Sequence, residues 1–249
     1  METTILDLNL NLNLKSESES ELKLESSNRE SSNRESSNRE STNIETKYVK
    51  NVYDAIATHF DNTRLYKWSW VNDFLNTLKI NSIVYDVGCG NGRNMINNNS
   101  NNLIFTGIDN CENFVTLCKS KNLNVINANM TSIPLKSNSA DAILCIAVFH
   151  HLENTENRVK ALLEMKRLIK IKGQILLSTW SINQPQKTRR SFNNYGNNIV
   201  LYNKYGTLYE RFYYIFKIDE LHKLFTLCGL TIIDYKYDCG NEIFTLIKR

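Results

Sequence analysis

The stretch that decides the fold is YDVGCGNGR, residues 85–93. Its first residues complete SIVYDVG, an apolar run over 82–88 that is typical of a short buried β-strand ending at a glycine. Glycines at positions 88, 90 and 92 let the chain turn tightly after the strand, and they let a ligand lie against the backbone. The stretch therefore predicts a ligand-binding loop at the carboxyl end of a strand.

Two acidic residues separate this loop from an ordinary dinucleotide site. A dinucleotide loop reads G-x-G-x-x-G and holds a pyrophosphate at a helix N-terminus, whereas here the spacing is G-x-G-x-G and Asp86 stands two residues before Gly88. A carboxylate there would repel a pyrophosphate but suits the ammonium of a methionine group. Asp109 closes the next strand, where it can accept both hydroxyls of a ribose. The pattern predicts an S-adenosylmethionine site.

The remaining cofactor contacts are expected at the ends of the following strands. Asn129 ends the third strand, where the adenine should lie, and its carbonyl oxygen can accept a hydrogen bond. The full set of predicted cofactor-binding residues is Asp86, Gly88, Cys89, Gly90, Gly92, Asp109, Asn110, Asn129, Met130 and Ile146.

Short apolar runs alternate with helical patterns along most of the chain. Strands are predicted at 82–88, 102–109, 124–128, 141–148 and 173–180. Helices are predicted at 46–60, 71–78, near 92–98, 111–121 and 155–170. This alternation implies a parallel sheet with right-handed crossovers.

The carboxyl-terminal segment breaks the alternation. Asp219 is predicted to cap a helix that stops at Gly229, and strands are predicted at 230–237 and 242–248. Only DCGN separates these two strands, so they should form an antiparallel hairpin. The expected fold is α/β and Rossmann-like: a mostly parallel seven-stranded sheet with a C-terminal antiparallel hairpin and helices on both faces.

The first 46 residues differ from the rest and are predicted to be a disordered, low-complexity tail that carries three SSNRE repeats. This tail has 5 Lys and Arg against 10 Asp and Glu, while the whole chain has 30 against 26, so residues 47–249 carry a net charge of +9. We expect 47–249 to be one domain. Its basic charge modestly favours a polyanionic partner such as nucleic acid.

Residues 181–216 read as an insertion without clear periodicity. The insertion mixes cations with aromatic residues: Lys187, Arg189, Arg190 and Lys204 with Phe192, Tyr195, Tyr202, Tyr205 and Tyr209. Such a mixture can bind phosphates and stack on unpaired bases. A solvated, asparagine-rich loop is an equal interpretation.

The cysteines and the apolar runs indicate the cellular compartment in which the protein is expected. Cys118, Cys145 and Cys228 fall on apolar faces and should be buried thiols, and no cysteine or histidine spacing predicts a metal site. These features suit a reducing, intracellular compartment. The longest apolar run, 142–149, is too short to cross a bilayer, so we expect no membrane partner.

Several segments together resemble the tRNA wobble-uridine carboxymethyl methyltransferases, a class I S-adenosylmethionine-dependent family that includes the yeast-type enzyme and the methyltransferase domain of the AlkB-homologue-8 proteins. The resemblance covers essentially all of 47–249. YVKNVYDAIATHFDNTR (48–64) and RFYYIFKIDEL (211–221) are specific to this family, whereas YDVGCGNGR and residues 146–184 are shared with many class I enzymes.

This resemblance implies methyl transfer to the carboxylate of 5-carboxymethyluridine at the wobble position. It also implies the tRNA anticodon loop as a partner and a small zinc-binding activator subunit. We expect a cytoplasmic location, with the nucleus left open. Two alternatives stand beside it, a small-molecule methyltransferase and a non-catalytic scaffold of the same fold. The basic domain and the HFDNTR segment favour tRNA, and the intact glycine loop argues against a scaffold.

A carboxylate acceptor is already ionised near neutral pH, since the ordinary pKa of a carboxyl group is roughly 4, so it needs a positioning cation rather than a base. The planar fork of arginine matches a carboxylate. Arg64 is the first candidate and Arg211 the second, because both lie in segments that should fold over the cofactor. His59 is the third catalytic candidate, although a half-buried structural histidine is at least as good an interpretation.

Overall fold

The computed structural model describes residues 43–64, 66–96, 101–186 and 192–248. A seven-stranded sheet forms its centre, with the strand order β3-β2-β1-β4-β5-β9-β8. The strands are β1 Ile83–Val87, β2 Ile104–Asp109, β3 Val125–Asn127, β4 Ala140–Ile146, β5 Ile169–Trp180, β8 Leu230–Asp238 and β9 Asn241–Lys248. Strands β1 to β5 are parallel, and β9 runs antiparallel to both β5 and β8.

The described residues form five α-helices around the sheet: α1 Asn51–Thr63, α2 Ser69–Asn76, α3 Glu112–Ser120, α4 Thr155–Leu168 and α5 Ile218–Leu227. A wider helical turn, Thr46–Lys50, leads into α1, and a 3₁₀ turn, Phe149–His151, follows β4. Within the part of the chain that the structure describes, none of these helices combines the length and apolarity that a bilayer span requires.

Side chains on the two faces of the sheet belong to two different hydrophobic clusters. On one face, Val87 and Ile143 join a large cluster that includes residues of α4 and α5. On the other face, Val84 and Leu144 pack against α2 through Phe74. Because side chains in a strand point alternately to opposite faces, the apolar runs must be covered on both sides. The predicted fold, with its hairpin and its helices on both faces, is confirmed.

The insertion after β5 is more regular than its sequence suggests. Strands β6 Gly196–Lys204 and β7 Thr207–Ile215 form a separate two-stranded antiparallel ribbon. Its two-residue turn, Tyr205 and Gly206, has φ values of 50° and 89°, the left-handed geometry that suits a tight hairpin. The prediction of 181–216 as an irregular loop is therefore wrong over 196–215. Lys187, Arg189 and Arg190 lie outside the described residues.

Two predictions about helix ends are corrected. The segment near 92–98 forms turns rather than a helix over its described part, where the N–H groups of Met95 and Ile96 both donate to the Gly92 carbonyl. Its asparagine-rich sequence has low helix propensity. Helix α5 begins two residues earlier than expected, so that Asp219 lies in its first turn and Lys217 is the capping residue, without a side-chain hydrogen bond.

The predicted tail reaches slightly too far into the folded part. Its residues up to 42 lie outside the described ranges, but Asn43 and Glu45 make defined contacts. The Asn43 side chain accepts from the backbone N–H of Glu45 and Thr46. The Glu45 carboxylate accepts from the backbone N–H of Glu153 and the side-chain amide of Asn157. Glu45 therefore fixes the entry to α1 against the start of α4.

Candidate active site

A cleft of about 970 Å³, measured out to its open mouth, lies at the carboxyl ends of β1, β2 and β4. The strand order reverses between β1 and β4, and ligands of open α/β sheets bind at such a switch point. A smaller recess of about 490 Å³ adjoins it and shares Gly88, Asp109 and Asn110 with it. We call the recess the adenine lobe, the part of the cleft lined by the glycine loop the methionine lobe, and the part lined by Tyr53, His151, Trp180, Arg211 and Tyr213 the acceptor lobe. His151 also lines the recess.

The glycine loop has the backbone that its sequence predicts. Gly88, Gly90 and Gly92 all have positive φ, at 72°, 54° and 76°. A Cβ on Gly88 would lie 2.4 Å from a methyl of Val148, and one on Gly92 would lie 2.4 Å from Leu123, so these two positions exclude a side chain for packing reasons. A Cβ on Gly90 would meet no protein atom within 4 Å. Gly90 therefore leaves space that a ligand can fill.

Asp86 is a buried carboxylate with one unused oxygen. Asn94 donates to its Oδ2 at 3.3 Å, while Oδ1 receives no hydrogen bond from the described residues. Burial raises the pKa of Asp86 to about 7, against the opposing influence of Asn94 and of nearby Arg93. A buried carboxylate with a free oxygen fits a ligand ammonium, because the ammonium would supply the missing donor and charge.

Asp109 is held rigidly at the end of β2. The backbone N–H of Gly90 donates to its Oδ2 at 2.8 Å, and that of Cys111 donates to Oδ1 at 2.9 Å. Burial raises its pKa to about 6, and these N–H donors oppose the rise. Each carboxylate oxygen keeps a further lone pair, so the fixed carboxylate can accept from ribose hydroxyls as predicted.

The predicted adenine contacts lie in the adenine lobe. Asn129 and Met130 line it together with Asn110. The Asn129 side-chain oxygen already accepts from the backbone N–H and the hydroxyl of Thr131, both at 3.0 Å. Its amide NH₂ is therefore the group that can more readily make a hydrogen bond to a ligand, as a donor. Ile146 and Cys89 line the main cleft, as expected.

Arg93 is a cleft residue that the sequence reasoning missed. It lines the methionine lobe close to Asp86 and Arg64, and burial lowers its pKa, with repulsion from Arg64 adding to the effect. An arginine beside the ammonium site can hold the carboxylate of a methionine group. Its place as the last residue of YDVGCGNGR was the available signal.

The acceptor lobe contains a buried cation. Arg211 in β7 is only 6% exposed, and its Nε–H has no acceptor among the described residues. Its guanidinium lies over the rings of Tyr202, at 4.7 Å, and Tyr213, at 5.4 Å. Burial opposes the charge, but the neighbouring tyrosines, Tyr213 first and then Tyr53, hold the pKa of Arg211 above its usual value. The lobe is therefore suited to an anion.

A directed hydrogen-bond chain stands beside Arg211. His151 Nδ1 lies 2.8 Å from the Phe212 carbonyl, which can only accept, so Nδ1 carries the proton. Burial lowers the pKa of His151 to about 3, so the ring is neutral and its Nε2 accepts from the Tyr53 hydroxyl at 3.0 Å. The Tyr53 oxygen can then accept from the Tyr213 hydroxyl at 3.1 Å. This order of donors makes His151 an unsuitable general base.

The three predicted catalytic residues occupy different positions. Arg211 and Arg64 both line the cleft, but Arg64 is half-buried and donates to the Thr63 carbonyl, so Arg211 is the better anion partner. His59 is absent from the described cleft lining. Its Nδ1 lies 2.6 Å from the Tyr202 hydroxyl on the ribbon, as the structural interpretation of this histidine expected.

Helix α1 covers the cleft and is tied to the glycine loop. Asp61, near the end of α1, accepts from the side chains of Asn91, at 2.9 Å, and Lys121, at 2.6 Å. Asn91 also donates to the Arg64 carbonyl at 3.0 Å. In the first turn of the helix, Asp54 accepts from the Cys111 thiol at 2.9 Å. The HFDNTR segment thus contacts the loop that holds the cofactor.

The described cysteines behave as predicted. Cys118, Cys145 and Cys228 are buried free thiols, as are Cys89 and Cys111, while Cys239 is exposed in the turn between β8 and β9.

Fold and cleft together define a class I S-adenosylmethionine-dependent methyltransferase. Residues 85–177 match the family model described as a methyltransferase domain. Two similar solved structures are S-adenosylmethionine-dependent methyltransferases, from Methanosarcina mazei (TM-score 0.59, 18% identity, 74% of this chain and 99% of that one) and from Clostridium acetobutylicum (TM-score 0.58, 13% identity, 79% and 99%). These likenesses support the fold.

Curated relatives specify the family. A Schizosaccharomyces pombe protein named tRNA (carboxymethyluridine(34)-5-O)-methyltransferase is 32% identical over 217 residues, which cover 78% of this chain and 93% of that protein. The chain belongs to this family. The mouse relative named tRNA (carboxymethyluridine(34)-5-O)-methyltransferase ALKBH8 is 38% identical over 58% of this chain, and the Arabidopsis thaliana relative is 39% identical over 55%. The chain spans 22% and 34% of the length of these two proteins.

Proposed function

We propose that this protein uses S-adenosylmethionine to convert the carboxylate of 5-carboxymethyluridine, at the wobble position of tRNA, into its methyl ester. The observation that carries the proposal is Arg211, a buried guanidinium in the cleft wall for which the structure gives no ion pair among the described residues. The neighbouring tyrosines stabilise this charge, but among the described residues it has no carboxylate to pair with, and a buried cation in that state favours an anionic ligand. The names of the relatives favour this acceptor over the metabolite and scaffold alternatives.

The residues of the methionine lobe fit the cofactor. Asp86 offers its free oxygen to the ammonium, Arg93 can hold the methionine carboxylate, and Asp109 can accept from the ribose hydroxyls. Gly90 leaves room for the ligand to approach the backbone. When bound, S-adenosylmethionine supplies an electrophilic methyl group on its sulfonium.

The acceptor lobe needs to place an anion without neutralising it. Arg211 can donate two parallel hydrogen bonds to a carboxylate, and this fixes the direction of the oxygen lone pairs. His151, through Tyr53 and Tyr213, fixes the hydroxyl groups around that guanidinium. Because the carboxylate is already ionised at neutral pH, these residues contribute by orientation rather than by proton transfer.

The finer statements about partners are also proposals. The basic domain supports contact with the tRNA anticodon loop. A small zinc-binding activator subunit is proposed from the family resemblance. A cytoplasmic location, with the nucleus as a second compartment, is proposed because buried free thiols suit a reducing, intracellular compartment. Adding a candidate activator to the purified protein and measuring turnover would test the first of these. Imaging of the tagged full chain would test the second.

The function itself is tested with carboxymethyl-bearing tRNA. The protein, with and without a candidate activator, is incubated with the tRNA and with cofactor carrying an isotope-labelled methyl group. The tRNA is then digested to nucleosides, which are separated and identified by mass spectrometry. We expect labelled 5-methoxycarbonylmethyluridine at the wobble position. Label on another nucleoside, or none in either condition although cofactor binds, would disprove the assignment.

A further inference from the structure

The turn of the β6–β7 ribbon presents an exposed aromatic ring on strained backbone. Tyr205 is 81% exposed and has a φ of 50°. A bulky residue in this left-handed region is energetically unfavourable, and glycine or asparagine is the common choice in such turns. Strained positions cluster at functional sites. An exposed tyrosine at this position therefore calls for an explanation.

The ring of Tyr205 is held in place by a neighbour on α1. The rings of His59 and Tyr205 meet edge to face at a centroid distance of 4.8 Å. His59 is in turn fixed by its 2.6 Å hydrogen bond to the Tyr202 hydroxyl. The ribbon is also anchored to α1 by Lys204, whose ammonium donates to the Ala55 carbonyl at 2.6 Å. The exposed ring thus has a fixed aromatic neighbour, and the strand that leads into its turn is tied to α1.

This support leads directly to the acceptor lobe. The guanidinium of Arg211 lies 4.7 Å from the ring centroid of Tyr202, and Tyr202 contacts His59, which contacts Tyr205. An unbroken row of rings therefore runs from the buried anion site to the surface. A chain molecule whose reacting group reaches Arg211 would pass along this row.

We propose that Tyr205, supported by His59, forms a stacking site for an unpaired nucleobase that flanks the acceptor nucleotide. This proposal rests on the proposed tRNA substrate. An aromatic ring offers its face to any base, so the site would hold the strand without reading its sequence. The proposal also gives His59 a supporting role in substrate binding instead of a catalytic one.

The test compares binding of an anticodon stem-loop that carries 5-carboxymethyluridine. Affinities are measured by fluorescence anisotropy with S-adenosylhomocysteine present, for the full chain and its Tyr205→Ala and Tyr205→Trp variants. Stacking on one base is worth about 1–3 kcal/mol, so we expect the alanine variant to bind about 5- to 150-fold more weakly. Tryptophan should restore binding.

Salt dependence and a matched variant sharpen the result. Because stacking releases no counterions, the slope of log Kd against log salt should be the same for wild type and Tyr205→Ala. Tyr237→Ala removes a tyrosine that is 48% exposed on the far edge strand β8 and should bind as wild type does. Equal binding by wild type and Tyr205→Ala, or equal loss in Tyr237→Ala, would overturn the stacking site. Failure of the wild type to bind the stem-loop, in contrast, would overturn the tRNA substrate as well.

Discussion

The methionine lobe and the acceptor lobe are built in opposite ways. Asp86 and the three loop glycines lie within seven consecutive residues, and Asp109 is brought beside them by the pairing of β2 with β1. The acceptor lobe instead joins Tyr53 to His151 across 98 positions of sequence and to Tyr213 across 160. One lobe follows from a local backbone motif, whereas the other depends on the packing of α1 and the ribbon against the sheet.

The two lobes also differ in charge. On the methionine side, the half-buried Asp109 and Arg93 line the lobe and the buried Asp86 lies beside it, whereas the acceptor lobe contains a buried guanidinium. Each charge complements a different ligand group, an ammonium on one side and a carboxylate on the other. The comparison predicts that a single substitution will impair the binding or reaction of one ligand and leave the binding of the other unchanged. The following experiments test this separation.

The largest effect is expected from Arg211→Met. Loss of the buried cation removes charge-assisted hydrogen bonds to the acceptor, and loss of one such electrostatic donor typically lowers turnover by about 10²–10³-fold. Affinity for S-adenosylhomocysteine should stay within about twofold of wild type. Steady-state methylation of the tRNA and calorimetry with the cofactor product measure the two quantities.

Arg64→Ala is the matched control for this variant. Arg64 lines the same cleft but is half-buried and already donates to a backbone carbonyl, so the loss of turnover should be smaller than for Arg211→Met. A larger loss in Arg64→Ala would assign the acceptor carboxylate to Arg64 and reverse the order inferred from burial.

The next largest effect is expected from Gly90→Ala. The added Cβ would meet no protein atom within 4 Å and would occupy the cleft, so cofactor affinity should fall about tenfold or more. Gly196→Ala provides the control, because Gly196 also has positive φ and open space around its Cβ but lies at the start of β6. Both variants should lose about 1–3 kcal/mol of stability from backbone strain, but only Gly90→Ala should lower the affinity for the cofactor. Equal cofactor affinities of the Gly90→Ala and Gly196→Ala variants would show that Gly90 does not contact the cofactor.

Cofactor affinity should depend on pH through Asp86. Its pKa of about 7 in the free protein means that binding an ammonium below this pH requires loss of a proton. The affinity should therefore fall by up to about tenfold per pH unit below pH 7 and level off above it. Asp109, with a pKa of about 6, should steepen the fall at lower pH.

The same pKa predicts how the stability of the free protein depends on pH. A carboxyl whose pKa is raised on folding contributes stability at acidic pH, and this contribution is lost as the pH rises through about 7. Asp86→Asn should weaken cofactor binding and flatten both pH profiles between 6 and 7.5, as calorimetry and thermal melts would show. Parallel profiles for the variant and the wild type would exclude Asp86 as the titrating group.

The smallest effect is expected from Tyr53→Phe. The change leaves the buried Nε2 of His151 without its donor and should lower stability by about 1–2 kcal/mol. The acceptor KM should rise several-fold, while cofactor affinity should not change. Because His151 is neutral down to a pKa of about 3, the pH profile of turnover should keep its shape in this variant. A shifted profile would show that Tyr53 or His151 takes part in proton transfer.

The fold was largely predictable because its strands are continuous apolar runs that end at glycine or acidic residues. The methionine lobe was predictable for a related reason, since positive-φ glycines and an acid at fixed spacing leave few alternatives. Arg93 was missed, although its place at the end of the motif was a signal. The ribbon was missed because asparagines interrupt its alternation, and because Ile199 and Leu201 are exposed instead of buried.

The acceptor lobe was predictable only as a set of candidates. Arg64 and Arg211 were both proposed, but their ranking depends on burial, which is decided by how β7 packs against α1. The tautomer of His151 depends on the Phe212 carbonyl, 61 positions away, and no sequence spacing encodes that contact. Long-range packing therefore sets the chemistry of this lobe.

The contact of Asp61 with Asn91 and Lys121 has a consequence for the order of events at the cleft. It joins the helix that covers the acceptor lobe to the loop that holds the cofactor. A shift of the loop on cofactor binding would move α1 through this contact, and the two ligands would then share a coupling free energy. Such coupling is reciprocal: if S-adenosylmethionine tightens tRNA binding, tRNA must tighten S-adenosylmethionine binding by the same factor. The protein would then hold its methyl donor most firmly when an acceptor is present.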